Sequence, residues 1–241
     1  MRISVQQFKG GAGKSTTCEM LASALAHQRR RVILYDTDPQ GSLVKWQANA
    51  AATELTSPFI DVRAALAFDA LVADIEGVLA DDPGASVIID TAGAAQDFQD
   101  LVAQIAELVI VPTRLNAADG TEAIAVVTRL DDLQAALGKA ANVANSVLLF
   151  TLTEAPSAWT KEARLFHDHL SALPHLKTQV RKLSAFEKMQ SRGPLPEIIE
   201  GLRKDGEARV RIQAREYMAA LNLSEALLAE VEAQIAELRH G

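Results

Sequence analysis

Cysteine is nearly missing from this 241-residue chain, with Cys18 the single copy. One thiol can build no internal disulfide, no Cys-x-x-Cys redox pair and no all-cysteine metal site, and inside a helical pattern it reads as a small buried residue. Aromatic residues are sparse as well, at 5%. No run of 18 apolar residues occurs, which argues against a transmembrane helix, and the chain opens without the basic flank, apolar stretch and cleavage site of a secretory signal. A cytoplasmic protein is expected. Lys and Arg, 24 in all, are outnumbered by 31 Asp and Glu for a net charge of −7, so the chain is not basic throughout. The deficit is uneven: residues 156–215 hold 12 Lys/Arg against 7 Asp/Glu, a local +5, while the remainder carries −12. Such asymmetry permits an anion-binding face on an acidic protein.

What is present is a 49% apolar composition, enough for a sizeable core, arranged as short β-branched runs alternating with helical patterns. The runs are 2–8, 31–36, 86–90, 108–112 and 146–150, with weaker ones at 58–64 and 176–180. Helical spacing marks 14–28, 68–80, 97–106 and 119–137. Alternation of this kind predicts an α/β fold: a doubly wound, mostly parallel sheet flanked by helices. After Pro194 and Pro196 interrupt the chain, 207–221 and 224–239 read as helices, the second N-capped by Ser224. Its stripe of Leu227, Leu228, Val231, Ile235 and Leu238 is expected to pack on the preceding domain. Its other face carries Glu225, Glu230, Glu232 and Glu237, which disfavours adsorption to anionic lipid. The division is therefore 1–193 as one domain and 194–241 as a helical C-terminal extension packed on it.

Residues 8–17, "FKGGAGKSTT", lie between the first strand and the first helix. Gly10, Gly11 and Gly13 let backbone N–H groups turn inward, and the helix starting near Lys14 directs its positive end toward an anion. Lys14 reaches terminal phosphates and the Ser15 hydroxyl can ligate Mg²⁺. The common pattern needs glycine at position 8, where Phe8 stands, and it needs only one lysine. Two carboxylate-bearing stretches follow later strands: "LYDTDPQGS" (34–42) and "SVIIDTAG" (86–93).

The stretch "KGGAGKST" resembles the deviant phosphate loop, KGGxGK[ST], of the ParA/MinD ATPases, in the phosphate-loop NTPase class called SIMIBI. The resemblance implies ATP and Mg²⁺ as cofactors. The nucleotide would be held by Lys9, Gly10, Gly11, Ala12, Gly13, Lys14, Ser15 and Thr16, with the Gly93 N–H near the γ-phosphate. Ser15, Asp36 and Asp90 would serve the metal. Asp38 is the implied hydrolytic residue, with Lys9 and Lys14 beside it in catalysis. It also implies that Lys9 crosses to the nucleotide of a second subunit, so that ATP binding builds a homodimer. The segment "IVPTRLNAADG" (110–120) looks like the ParA stretch that shapes the nucleotide or dimer surface.

The same resemblance implies slow, partner-stimulated ATP hydrolysis and non-specific binding of double-stranded DNA by the ATP dimer. A ParB-like activating partner, no membrane association and a nucleoid location when ATP-bound belong to the same picture. Arg181, Lys182, Lys188, Arg192 and Arg211 are the candidate DNA residues, and the shortage of aromatics disfavours stacking on single strands. A first strand starting at residue 2 leads us to expect no preceding operator-binding domain. The "AF", Met189 and "RG" of 180–193 are similar instead to Vir-type ATPases that help assemble conjugative DNA-transfer complexes, which is the alternative function. An ATP-dependent small-molecule ligase is a more distant one, and "DTDPQGS" argues against it.

Overall fold

The computed structural model describes residues 1–93, 95–138, 141–204 and 208–240, the side chains of 208–212 excepted. Six strands form one sheet: β1 (Arg2–Val5), β2 (Val32–Asp36), β3 (Ile60–Ala64), β4 (Ser86–Asp90), β5 (Leu108–Thr113) and β6 (Asn145–Phe150). All described pairs are parallel and the order is β3-β2-β4-β1-β5-β6. Strand β1 therefore sits at the point where the winding reverses, where the loops leaving neighbouring strands part and open a crevice at their carboxyl ends.

Because side chains alternate across a strand, each apolar run feeds two cores. Val32, Leu34, Ile88, Leu108 and Ile110 face one side. Ile33, Tyr35, Val87 and Ile89 face the other, beneath α3 (Phe68–Asp81) and α4 (Gln96–Ile105), while Val109, Val111, Leu148 and Phe150 pack under α5 (Ala117–Leu137) and α6 (Lys161–Leu170). Pro112 is tolerated in β5 because it stands beyond Ile110, where the register with β1 ends.

The first face is covered by α1 (Lys14–His27), α2 (Ser42–Ala52), α7 (Ser184–Arg192), α8 (Leu195–Lys204) and α9 (Ala208–His240). Helix α1 is buried around almost its whole circumference, which explains why its sequence lacks a polar face. The sheet covers one side of it, and α8 and α9 cover the other.

Several expectations change. Strand β1 stops at Val5, since Gln6 and Gln7 turn their buried amides to Gln99 O and Pro112 O. The run at 176–180 is no regular strand. It follows the β6 edge through bonds such as Leu176 N to Leu148 O and Val180 N to Phe150 O, but the Lys177 and Thr178 amides turn away to the Glu230 carboxylate. Pro194 and Pro196 open α8 rather than merely interrupting the chain, proline being tolerated in a first helical turn, where its missing N–H has no partner to lose. Ser224 is not an N-cap: α9 runs through it, and its buried hydroxyl donates back to Ala220 O. The acidic face of α9 is partly stitching, with Glu225 on His27, Glu232 on Arg30 and Glu230 on the two amides.

Leu227, Leu228, Val231 and Ile235 are buried as expected, whereas Leu238 is 41% exposed. Leu228→Ala should cost roughly 2–5 kcal/mol in urea unfolding, the range for a large-to-small change in a filled core. Leu238→Ala should stay within about 0.5 kcal/mol of the parent, as exposed substitutions do. Equal costs would contradict the packing of α9.

Candidate active site

The loops that leave β1, β2 and β6 at their carboxyl ends line one crevice with Asp90, the last residue of β4. Val5, Asp36 and Asp90 stand at one level on adjacent strands, since Asp90 is in register with both of the others. The loop after β1 closes with Gly13 at the N-cap of α1, at φ 99°, and no side chain caps the helix. Gly11, at φ 79°, also occupies the left-handed region that favours glycine. The first amides of α1 thus face the crevice without a side-chain partner, which makes a site for an anion. Thr151 supports the loop from β6 by donating to Ala12 O at 2.7 Å. Gly93 is needed for close approach, since a methyl there would lie 2.6 Å from Phe8 O.

The Ser15 hydroxyl donates to Asp90 Oδ2 at 2.6 Å, and Asp90 Oδ1, buried, has no partner among the described residues. Burial pushes the Asp90 carboxyl up to about 7, against the pull of Ser15 and Lys14, and the charges of Asp36 and Asp38 add to the rise. A hydroxyl and a carboxylate with a spare buried oxygen are hard oxygen donors of the kind Mg²⁺ takes, so these residues fit the metal. Lys14 Nζ arches over the loop to Lys9 O at 3.5 Å.

Asp36, also expected to serve the metal, meets backbone amides in this structure. Its Oδ2 accepts from the Leu43 and Val44 amides and its Oδ1 from the Asp38 amide, so the buried carboxylate completes the N-terminus of α2. Asp38 itself is partly exposed on the crevice wall and accepts from Gln40 N. Thr16 accepts from Gln190 on α7 at 2.8 Å.

A cavity of about 540 Å³ extends from the loop. Beyond Lys14, Ser15, Asp38 and Asp90 it is lined by Leu152, Val180, Leu183 and Phe186, an apolar end that the sequence did not mark. Leu152 holds φ 50°, a strained conformation for a side chain of this kind. Lys182, an exposed residue, also borders this cavity. Of the other expected DNA residues, Arg181 is exposed and Arg192 half-buried, Lys188 pairs with Glu216 at 3.5 Å, and Arg211 lies outside the described side chains. A second cavity, of about 510 Å³ beside His27, Phe59 and Glu197, holds none of the site residues.

Residues that look Vir-like in the sequence are packing residues. Phe186 and Met189 are buried, Trp46 donates to Met189 O at 3.0 Å, and a methyl on Gly193 would meet Ala50 Cβ at 2.8 Å. They dock α7 on α2 and close one wall of the cavity.

A glycine-cradled helix start, with a lysine above it and a serine–aspartate pair beside it, on an all-parallel sheet of this order, defines a phosphate-loop ATPase fold of the ParA/MinD kind. The chain belongs to the VirC1 protein family, whose pattern matches residues 1–237. It is 29% identical over 204 residues to protein virC1 of Rhizobium rhizogenes, spanning 84% of this chain and 86% of that one. Protein ParA of Rhizobium radiobacter is 35% identical over 119 residues, 49% of this chain and 51% of the other. The solved structure of pNOB8 ParA matches with a TM-score of 0.65 at 15% identity, over 97% of this chain and 99% of that one. The same protein bound to nonspecific DNA matches at 0.58 and 16%, over 96% and 98%.

Glu19, on α1, also lines the cavity. It is 2% exposed, its Oε2 has no partner among the described residues, and burial, reinforced by Asp90, raises its carboxyl well above the usual range. An acid whose folded value is raised takes up a proton on folding, so it costs stability once the pH exceeds the unfolded value of about 4.3. Glu19→Gln should therefore melt higher than the parent at pH 7.5, with the margin shrinking toward pH 4. A margin independent of pH would contradict a neutral, buried Glu19.

Proposed function

We propose that this protein is a ParA-like ATPase that dimerises on ATP, holds duplex DNA without sequence preference in that state, and releases it on hydrolysis. The observation that carries the reading is the uncapped, glycine-lined start of α1 facing Asp90, whose buried Oδ1 is unpartnered. Amides of Gly11 to Ser15 and the Lys14 ammonium would bind phosphates. Ser15 and Asp90 would hold Mg²⁺, which when bound offsets phosphate charge and orients the γ-phosphate. Asp38, on the wall and partly solvated, would orient the attacking water, and Lys9 would neutralise the second subunit's nucleotide. The apolar end at Leu152, Val180, Leu183 and Phe186 supports a nucleobase there.

Binding of nonspecific DNA by the pNOB8 relative supports the DNA step, and the exposed Arg181 suits contact with phosphates. A partner of ParB kind would then stimulate hydrolysis and give the cycle direction, moving plasmid, chromosomal or protein cargo. The family match over 1–237 supports a second reading, in which the same switch promotes assembly of a conjugative DNA-transfer complex. The two differ in DNA preference: partition needs none, whereas a transfer complex forms at a particular site.

Lys14→Ala should lose nucleotide binding, Lys9→Ala should keep it while losing ATP-dependent dimerisation, and Asp38→Ala should accumulate as an ATP dimer. Nucleotide affinity and sedimentation together distinguish the three. Equal loss of affinity in the two lysine variants would overturn the cross-subunit role of Lys9. In the DNA assay, Arg181→Ala with Arg192→Ala should weaken unrelated duplexes alike and flatten the salt dependence, whereas Lys182→Ala should act on nucleotide affinity.

A further inference from the structure

The loop after β5 supplies a buried carboxylate that the phosphate-loop motif does not include. Asp119, in the first turn of α5, has no exposed side-chain surface, yet three groups converge on it. Lys9 Nζ lies 2.9 Å from Oδ1, Arg114 donates through Nε to Oδ2 at 2.5 Å, and Asn116 Nδ2 donates to Oδ2 at 2.8 Å. Asn116 in turn caps α5 by accepting the Asp119 amide at 3.0 Å, which fixes the carboxylate's origin. Arg114 abuts the phosphate loop, its Nη2 4.0 Å from where a methyl on Gly11 would stand. Lys9 and Arg114 therefore sit side by side on the exposed rim of the loop, both anchored to one buried group.

We infer that Asp119 is a positioning residue for the subunit interface, fixing Lys9 and Arg114 as a cation pair that faces the nucleotide of a second copy of this chain. The inference rests on the proposed ATP-dependent dimer and adds to it a second cation and the group that aims both.

Charge and donor count support it. Lys9 with Asp119 alone would sum to zero; Arg114 restores a net positive charge where two nucleotides would bring their phosphates together. An ammonium has three donors and a guanidinium five, so neither cation is exhausted by its bond to Asp119. Lys9, at 41% exposure, can meet a phosphate without leaving the carboxylate, and its ammonium is already held by Asp119. Ordering before association removes part of the rotamer entropy that binding would otherwise cost. Burial alone would raise the Asp119 carboxyl, but its bonds to Arg114, Lys9 and Asn116 hold it below the usual range, so the anchor stays charged.

The test compares the parent chain with Asp119→Asn, Arg114→Ala and Arg114→Lys. Each is measured for affinity toward a fluorescent ATP analogue at low protein concentration, and for dimerisation by sedimentation with a slowly hydrolysed analogue. For Asp119→Asn and Arg114→Ala, nucleotide affinity should stay within about twofold while dimerisation weakens by about tenfold or more, an ordinary size for coupling between two sites. Arg114→Lys should fall between Arg114→Ala and the parent. Loss of folding would move both readouts together. Should Asp119→Asn lose both, Arg114→Ala, which keeps Asp119 bonded to Lys9 and Asn116, decides: weakened dimerisation with nucleotide affinity kept supports the inference. Parent-like dimerisation of Arg114→Ala, or of a folded Asp119→Asn, overturns it. Dimerisation of Asp119→Asn at lower nucleotide than the parent overturns it too, because Asp119 would then restrain Lys9. A parent chain that binds nucleotide and stays monomeric would overturn the ATP-dimer reading itself and this inference with it.

Discussion

The site depends on a helix that is covered on every side and left open at one end. Helix α1 is enclosed by the sheet, α8 and α9, so its axis is fixed, while its first amides meet no side-chain cap. A helix start of this kind is a fixed positive pole, useful only if the body behind it cannot yield. The C-terminal helix thus serves the phosphate loop from a distance. Leu227, Leu228 and Val231 press on the back of α1, and Glu225 and Glu232 tie to His27 and Arg30 at its far end.

The parallel sheet does the rest by register. With Val5, Asp36 and Asp90 level on adjacent strands, two carboxylates arrive beside the phosphate loop, and they meet different partners. Asp36 is consumed by the amides of α2, and that bond holds the turn bearing Asp38 against the crevice. Asp90 keeps an unpartnered oxygen, and burial makes it costly to leave that way. Ser15 and Asp90 are therefore the residues we propose for the metal.

Legible in the sequence were the buried strands, the helical stretches that alternate with them as α1, α3, α4 and α5, and the phosphate loop with its two aspartate stretches. Helices α2, α6, α7 and α8 were not marked. Helix α7, with Phe186 and Met189 as its large apolar residues, is held by tertiary contacts with Trp46 and Ala50. That Asp36 meets the amides of α2 while Asp90 meets Ser15 could not be read, because both end apolar strands. Asp119 was invisible for a related reason. Nothing in "TRLNAADG" marks its burial, and its meaning appears only once Lys9, far off in the chain, is placed 2.9 Å away. Lys182 stands next to Arg181 in a basic stretch, and only the fold shows that it borders the cavity.

If nucleotide state governs association with DNA, as proposed, retention of unrelated duplexes by the unmodified protein will differ with ADP, with ATP and with a slowly hydrolysed analogue. Retention should be weak with ADP, present with ATP and strongest with the analogue, and should fall steeply as salt rises, as phosphate neutralisation requires. Binding that is equal in all three states, or confined to one DNA sequence regardless of nucleotide, would contradict it.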